Sequence, residues 1–578
     1  MRHFYTFMTL FAAFLLLYDF GFDQTQEQQR LLLRGYFFIT AIFSTFEVYH
    51  LFASKVRSTL LSLVRLSLPF VTLMIISFDW IGQKETFLNS VVRHEGLFTA
   101  NVVLLAFFEL AVFVRRLYIK ALSPAIVFAG SFLLLILTGA FLLKLPNATV
   151  SGISFTDAVF TATSAVCVTG LSVLDVGHEL TRMGQVILLV LIQLGGLGVL
   201  TLTTFFAYFF TGGASFQEHL HVKDFLSSDR LGGLVELAIK IVGFTLGIEL
   251  LGALLIFFSL PEDHKMVLEE RAFFSLFHSV SAFCNAGFST LTNGLYEGNY
   301  RFAYNLHWTI AWLIIFGGLG FNIIFNIFGY FPEKIGNLFR RYILGSKKYH
   351  TTARLVTLNT KIVLYTTLVL LVLGTVAFFF MEYGNTLREH KSMWGKISVA
   401  FFGSVTPRTA GFNTVNMTDL ALPTVLLTIF LMWVGASPAS TGGGIKTSTF
   451  AIAILNIFSV GRSKNRIELG TREVPWHSVH RAFAIIVLSL LIIGLGIMFL
   501  SLTDVNLGFT AIAFEAVSAY STVGLSLGVT AKFGESGRWV LIVLMFIGRV
   551  GSINLLVGML RQSGHLLYRY PEESVLLN

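Results

Sequence analysis

Four short glycine turns recur along this chain, at Gly170, Gly287, Gly411 and Gly524, separated by 117, 124 and 113 residues. They stand in the stretches FTATSAVCVTGLS, FHSVSAFCNAGFS, FFGSVTPRTAGFN and FEAVSAYSTVGLS. Ten residues before each glycine is a phenylalanine: Phe160, Phe277, Phe401 and Phe514. Six before it stands Ser164, Ser281 or Ser518, with Val405 in the third copy. Leu or Phe follows each glycine, and then Ser or Asn. One such match is noise, but four at near-constant spacing make an internal repeat. Glycine tolerates φ > 0, so a turn built on it can aim successive backbone carbonyls one way. Four such turns around one axis would give rings of carbonyl oxygens, which replace the hydration shell of a cation. The chemistry in view is cation coordination by backbone.

Such turns must be held at depth by other elements, and the composition says which. Of the 578 residues, 55% are hydrophobic and only 13% charged, with a mean hydropathy of +0.75. A soluble chain of this length carries about a quarter charged residues. Apolar runs of about 20 residues, enough to cross ~30 Å of hydrocarbon, recur throughout. Before residue 123 they lie near 4–20, 35–54, 59–80 and 97–119; the first reads as a retained helix, lacking a strongly basic start and a small-x-small cleavage site. From residue 124 onward the order is long apolar helix, shorter amphipathic stretch, glycine turn, long apolar helix. The shorter stretches cannot span a bilayer and are predicted to enter and return as re-entrant half-helices. Non-helical backbone at that depth survives only against protein or a water-filled cavity. The half-helix C-termini aim partial negative charge at the same point.

Each second helix carries a further small-residue cluster: GGLG from Gly195, GGLG from Gly317, GASP from Gly435 and GRVG from Gly548. Arg549 thereby falls where the first two copies have Gly196 and Gly318. A lone arginine at membrane depth costs about 2.5–3.5 kcal/mol on insertion scales. It is therefore expected to face the pore or a partner rather than lipid. In the third copy, residues 436–444 contain Pro438 and three consecutive glycines, Gly442, Gly443 and Gly444. That composition cannot sustain a helix, so a broken helix lining a cavity is predicted. Lys446, just beyond, either faces the pore or reaches back to solvent.

The net charge of +9 does not mark a nucleic-acid partner, because the basic residues gather in short connections. Lys55, Arg57, Arg115, Arg116, Lys120, Arg340, Arg341, Lys347, Lys348 and Arg462 alternate with acidic connections such as Asp23, Glu27, Glu262 and Glu269. That is the bias of cytoplasmic loops, and it puts the N-terminus in the cytoplasm. Two cysteines, Cys167 and Cys284, lie three residues before their glycines, and packing is expected of them. The 14 histidines show no zinc spacing. No carboxylate pair or nucleophile–base motif appears, so no enzyme is expected. Asp157, Glu249 and Glu515 fit capping and ion binding equally well.

The loops SAVCVTGL, FCNAGFSTL, TPRTAGFNT and STVGLS, with GASPASTGGGIKTSTF at 435–450, resemble the Trk/Ktr/HKT superfamily of potassium transporters. Within it the resemblance is to the bacterial TrkH/KtrB-type membrane subunit, over roughly residues 124–562. It implies an all-α polytopic membrane protein with four tandem, KcsA-like M1–P–M2 repeats around one pseudo-four-fold pore, and extra N-terminal transmembrane helices. The expected segments are 1–120 (about four N-terminal helices), 121–211, 232–330, 358–460 and 478–562 (the repeats, the third with its broken helix), and 563–578, a cytoplasmic tail. The implied function is potassium uptake across the cell inner membrane through a gated pore. The implied filter is Val168, Thr169, Gly170, Asn285, Ala286, Gly287, Thr409, Ala410, Gly411, Thr522, Val523 and Gly524, holding K+ at its carbonyls. Each copy lacks the second glycine of a TVGYG filter, so sodium is a second candidate cargo. The implied gate is Arg549 with Gly442, Gly443, Gly444 and Lys446. Membrane lipid, a homodimer mate and a cytosolic RCK-type nucleotide-binding ring docked on basic loops near 331–357 and 461–481 and on the tail are the implied partners. No organic cofactor is expected in this chain. A potassium subunit of a multi-subunit pump and a sodium-coupled cation symporter are the alternatives.

Overall fold

The computed structural model describes residues 2–53, 124–198, 234–261, 266–328, 356–464, 466–469 and 472–552. The segments expected near 59–80 and 97–119, the basic connection 331–355 and the tail lie outside the described residues.

Helices α1 (Arg2–Gly21) and α2 (Gln26–Ala53) form an antiparallel hairpin. The turn between them ends in a reciprocal cap: Thr25 N–H donates to Gln28 Oε1 at 2.9 Å, and Gln28 N–H to Thr25 Oγ1 at 3.4 Å. That cap starts α2 nine residues before the apolar run predicted from 35. Tyr36 O–H then donates to Asp19 Oδ2 at 2.6 Å and fastens the hairpin.

Beyond residue 124 the order long helix, short helix, second helix recurs. It runs α3 (Pro124–Leu143), α4 (Phe155–Val166) and α5 (Arg182–Leu197), then α6 (Leu234–Ser259), α7 (Leu268–Phe283) and α8 (Tyr304–Leu319) with α9 (Phe321–Phe328). Next come α10 (Leu358–Glu382), α11 (Met393–Val405), α12 (Leu422–Trp433) and α13 (Thr447–Gly461), and last α14 (Trp476–Thr503), α15 (Phe509–Ser521) and α16 (Glu535–Val550). The short helices α4, α7, α11 and α15 have 12, 16, 13 and 13 residues. At ~1.5 Å per residue none reaches across ~30 Å of hydrocarbon. Ser154 and Ser392 cap α4 and α11, accepting from Asp157 N–H at 3.1 Å and Gly395 N–H at 2.9 Å.

Among the described residues three helices, Ala238–Ser259, Leu358–Glu382 and Trp476–Thr503, are long and apolar enough to cross a membrane, and α8–α9 makes a fourth if the bent pair is one span. On α6 one face carries Leu246, Leu250, Leu254 and Phe258, one every fourth residue and each more than half exposed, while Thr245 and Glu249 lie buried on the other. An apolar stripe outside and polar groups inside is the pattern of a helix with lipid on one side.

The second helices depart from the expected long continuous form. A break is predicted only in the third copy, where α12 ends at Trp433 and α13 begins at Thr447. Yet α5, α8 and α16 also end inside their clusters, at Gly198, Gly320 and Gly551, with φ of 76°, 83° and 88°. A left-handed residue cannot continue a right-handed helix. At Gly320 the chain turns by 98° into α9. The fourth residue of GGLG and GRVG is thus a helix terminator, not only a packing contact.

Three core clusters join neighbouring passes. Phe160, Leu171, Phe277, Ile512 and Phe533 share one, Phe274, Ile310, Phe402 and Phe412 a second, and Val399, Phe514, Tyr520 and Leu525 a third.

Candidate functional site

The four short helices run down to the four glycine turns, where backbone geometry is alike. Val168, Asn285, Thr409 and Thr522, each two residues before its glycine, have φ of 56°, 59°, 74° and 49°. The glycines follow at 91°, 71°, 81° and 92°, with an ordinary residue between. Alternating hand places successive N–H groups on one side of the strand and successive carbonyls on the other. The N–H groups point back to the short helices. Thr169, Ala286 and Val523 donate to the carbonyls of Ser164, Ser281 and Ser518 at 2.7, 2.7 and 2.9 Å. Gly170 and Gly524 donate to Ser164 Oγ and Ser518 Oγ at 3.1 Å. Among the described residues, the carbonyls of all three residues in each turn accept no hydrogen bond. Backbone carbonyls away from solvent are rarely left unpaired, and unpaired carbonyl oxygens are the kind of group that coordinates a cation.

The turns also meet one another. A Cβ added to Gly170 would strike the Ala286 carbonyl, and one on Gly287 would lie 2.6 Å from the Ala410 carbonyl. A Cβ on Gly411 would strike the Val523 carbonyl, and one on Gly524 the Thr169 carbonyl. The order 170, 287, 411, 524 and back to 170 closes a ring. Glycine is required twice, by its φ and by its neighbour. The Asn285 amide pairs with Thr409 Oγ1 at 3.2 Å and ties the second turn to the third.

The third turn corrects the sequence register by one residue. Phe402, not Phe401, is buried beside the turn, at 1% exposure against 0% for Phe160, Phe277 and Phe514. Phe401 instead stacks on Trp308, with ring centroids 4.6 Å apart. Four residues after Phe402 stands Thr406, at the spacing of Phe160 to Ser164. Its Oγ1 donates to the Phe412 carbonyl, as Ser281 Oγ donates to the Phe288 carbonyl at 2.8 Å. The missing serine is therefore supplied by Thr406, and Val405 is a core residue. Thr406→Val orphans the buried Phe412 carbonyl and is expected to cost about 1–3 kcal/mol, whereas Thr406→Ser keeps the hydroxyl. Thermal denaturation in detergent distinguishes them; equal midpoints for the two variants would return the register to Val405.

Beneath the ring, residues 435–446 lie against the turns. A Cβ on Gly442 would run into the Thr409 side chain, and one on Gly443 into that of Thr522. The segment is pinned mainly to the second pass: Ser437 N–H donates to Gly318 O at 3.0 Å, Thr441 N–H to Gly317 O at 3.4 Å, and Phe321 N–H to Ala439 O at 3.2 Å. Gly444 has φ of 67°. Arg549, half-buried, donates to the carbonyls of Thr441 and Gly195 and so links the loop to the first pass. Lys446 folds back on the loop, Nζ donating to Gly442 O at 2.6 Å.

Other charged groups have mainly scaffolding partners. Asp157 pairs with Arg538 while Thr156 Oγ1 donates to Glu535 Oε1 at 2.7 Å, joining the first pass to the last. Glu249 sits in mid-helix, accepting from Gln193 Nε2 at 3.0 Å and from Cys284 Sγ at 3.6 Å. Cys167 and Cys284 are fully buried free thiols behind the turns. Arg408, which no sequence pattern singles out, is buried behind the third turn with Thr367 Oγ1 3.4 Å from its guanidinium. Among the described residues no group of His, Cys, Asp and Glu side chains is placed to hold a metal ion.

The family profile described as TrkH, cation transport protein, matches residues 98–564. The chain is 39% identical over 449 residues to the Ktr system potassium uptake protein B of Vibrio alginolyticus, across 77% of this chain and 93% of that one. It is 34% identical over 465 residues to the potassium/sodium uptake protein NtpJ of Enterococcus hirae, across 79% and 98%. The crystal structure of the potassium transporter TrkH from Vibrio parahaemolyticus shares the fold, with a TM-score of 0.60 at 17% identity over 93% of this chain and 99% of that one. With the family profile spanning most of its length and relatives this similar, the chain is a membrane protein belonging to the TrkH cation transport family.

Proposed function

We propose that this chain takes up potassium across the cell inner membrane through a gated pore at the centre of four M1–P–M2 repeats, with the twelve turn residues as its filter. The observation that carries the reading is the closed ring of glycine turns with unpaired carbonyls. Val168, Thr169 and Gly170, and their counterparts in the other turns, would replace the ion's hydration shell. Arg549, Gly442, Gly443, Gly444 and Lys446 form the gate beneath.

A gated pore suffices energetically. One charge crossing 100 mV is worth about 2.3 kcal/mol, so roughly 150 mV sustains a concentration ratio of several hundred. Only one glycine per turn leaves fewer regular carbonyl rings, and a relative is named for potassium and sodium alike, so sodium passes to some degree. The N-terminus lies in the cytoplasm, the chain pairs as a homodimer, and a cytosolic RCK-type ring docks on the basic loops and tail and acts on the gate.

Reconstitution into proteoliposomes, with each cation varied alone, tests the reading. Potassium influx driven by membrane potential alone is the expected result. Influx that demands a sodium or proton gradient would make the chain a coupled symporter, and influx only with an ATPase partner would make it a pump subunit.

A further inference from the structure

The residue directly after each buried phenylalanine differs among the four copies: Thr161, His278, Gly403 and Glu515. Glu515 is fully buried on α15. Its Oε1 accepts from Ser526 Oγ and its Oε2 from Thr530 Oγ1 at 3.0 Å. Thr530 Oγ1 also lies 2.9 Å from Ser526 Oγ, so its single hydrogen is shared between the carboxyl group and that hydroxyl. The two hydroxyls thus hold the carboxyl group by both of its oxygens. Among the described residues no cationic side chain pairs with it. Ser526 lies two residues past Gly524, so this carboxylate grips the outer lip of the fourth turn.

In the second turn an imidazole takes the equivalent place. His278 Nδ1 bonds Phe274 O and Nε2 bonds Ser289 Oγ, both at 2.9 Å, and Ser289 is two residues past Gly287. Gly403 has no side chain to offer, and an added Cβ would strike the Phe378 ring at 2.7 Å. The Thr161 hydroxyl has no partner among the described residues. The layer behind the ring is thus four-fold in position but not in chemistry.

We propose that Glu515 is the specificity-determining positioning residue of the outer pore mouth, its buried carboxyl group fixing the 526–530 lip at the side from which cations enter. The inference rests on the filter reading above. Losing one or two such hydrogen bonds changes an equilibrium about tenfold. Potassium-uptake kinetics with Glu515→Gln are therefore expected to give an apparent KM about tenfold higher with Vmax near wild type, and a lower preference for potassium over sodium. Glu515→Asp restores part of the KM. Thr161→Val, at the unpartnered equivalent position, leaves both parameters at wild-type values. A purely structural Glu515 would instead lower Vmax and the amount of inserted protein together, at constant KM.

A wild-type KM and cation preference in Glu515→Gln would overturn the proposal, as would an equal KM shift in Thr161→Val. Where Glu515→Gln fails to insert, the double variant Ser526→Ala, Thr530→Val removes two donors without touching α15, and an unchanged KM there overturns it equally. If these variants behave like wild type while Gly411→Ser alters selectivity, only this inference fails. If no glycine variant alters selectivity either, the filter reading fails with it.

Discussion

Without any cytosolic partner present, Arg549→Ala is expected to pass potassium faster than wild type, and deletion of Gly442–Gly444 is expected to do the same. Two effects add in the arginine variant. A fixed positive charge leaves the proposed ion path, and like charges ~4 Å apart repel by about 1 kcal/mol in water and about 4 at an effective dielectric of 20. Those limits correspond to rate increases of about fivefold and about a thousandfold. The tie from the guanidinium to the Thr441 and Gly195 carbonyls is also lost, so the loop is released from the first pass. Arg549→Lys separates the effects, because lysine keeps the charge but not the two-pronged fork; its flux should fall between the others. The deletion removes the residues packed on the Thr409 and Thr522 side chains, and should also weaken control by the proposed regulatory partner. Stopped-flow or radiotracer flux decides the matter. If both variants are inserted and folded yet conduct no faster than wild type, the barrier lies elsewhere. A fall in flux for Arg549→Ala alone would make the arginine a tie and not a barrier.

What the sequence makes legible here is whatever repeats. The four glycines and the phenylalanines of the first, second and fourth copies stand in register because a ring of turns demands one answer at each corner, and the broken third helix shows in its own proline and glycines. Where the repeat is ambiguous, the reading slips. Phe401 and Phe402 are adjacent, as are Val405 and Thr406, and nothing local decides between them. The choice is made by Trp308 on another helix, which takes Phe401 as a stacking partner and donates through Nε1 to Ser398 Oγ at 3.0 Å. Single glycines at helix crossings usually mean close packing, so Gly198, Gly320 and Gly551 do not announce themselves as terminators. Their shared place as the fourth residue of each cluster was the available signal. The buried polar pairs are not legible at all: Gln193 and Glu249 stand 56 residues apart in different passes, and no spacing rule connects them. Arg549 falls between these cases. Its charge and depth follow from the alignment of GRVG with GGLG, but its two carbonyl partners depend on how the third pass folds back beneath the ring.

Replacing a turn glycine should have the clearest effect on which cation passes, and Gly411→Ser is the variant of choice. Its φ of 81° lies in the left-handed region, which costs an L-residue about 1–2 kcal/mol. Its Cβ would strike the Val523 carbonyl and approach Gly287 Cα to 3.2 Å and Gly524 Cα to 3.3 Å. Backbone, not a flexible side chain, is what must move, so two neighbouring turns are displaced together with their carbonyls. A carbonyl ring set for one ion radius then fits it less well, and an energy of the same order lowers potassium-over-sodium preference about fivefold to thirtyfold. Gly170, Gly287 and Gly524 occupy equivalent places and should respond in the same direction. Gly494, on α14, is the control: it has no neighbour within 4 Å of an added Cβ and no positive φ. Gly494→Ala should leave selectivity alone and stabilise the helix by about 0.5–1 kcal/mol. Reversal potentials or competitive uptake give the permeability ratio directly. Wild-type ratios in all four single-glycine variants would remove the ring from the filter, since a site that tolerates a displaced carbonyl at every corner is not reading ion size there.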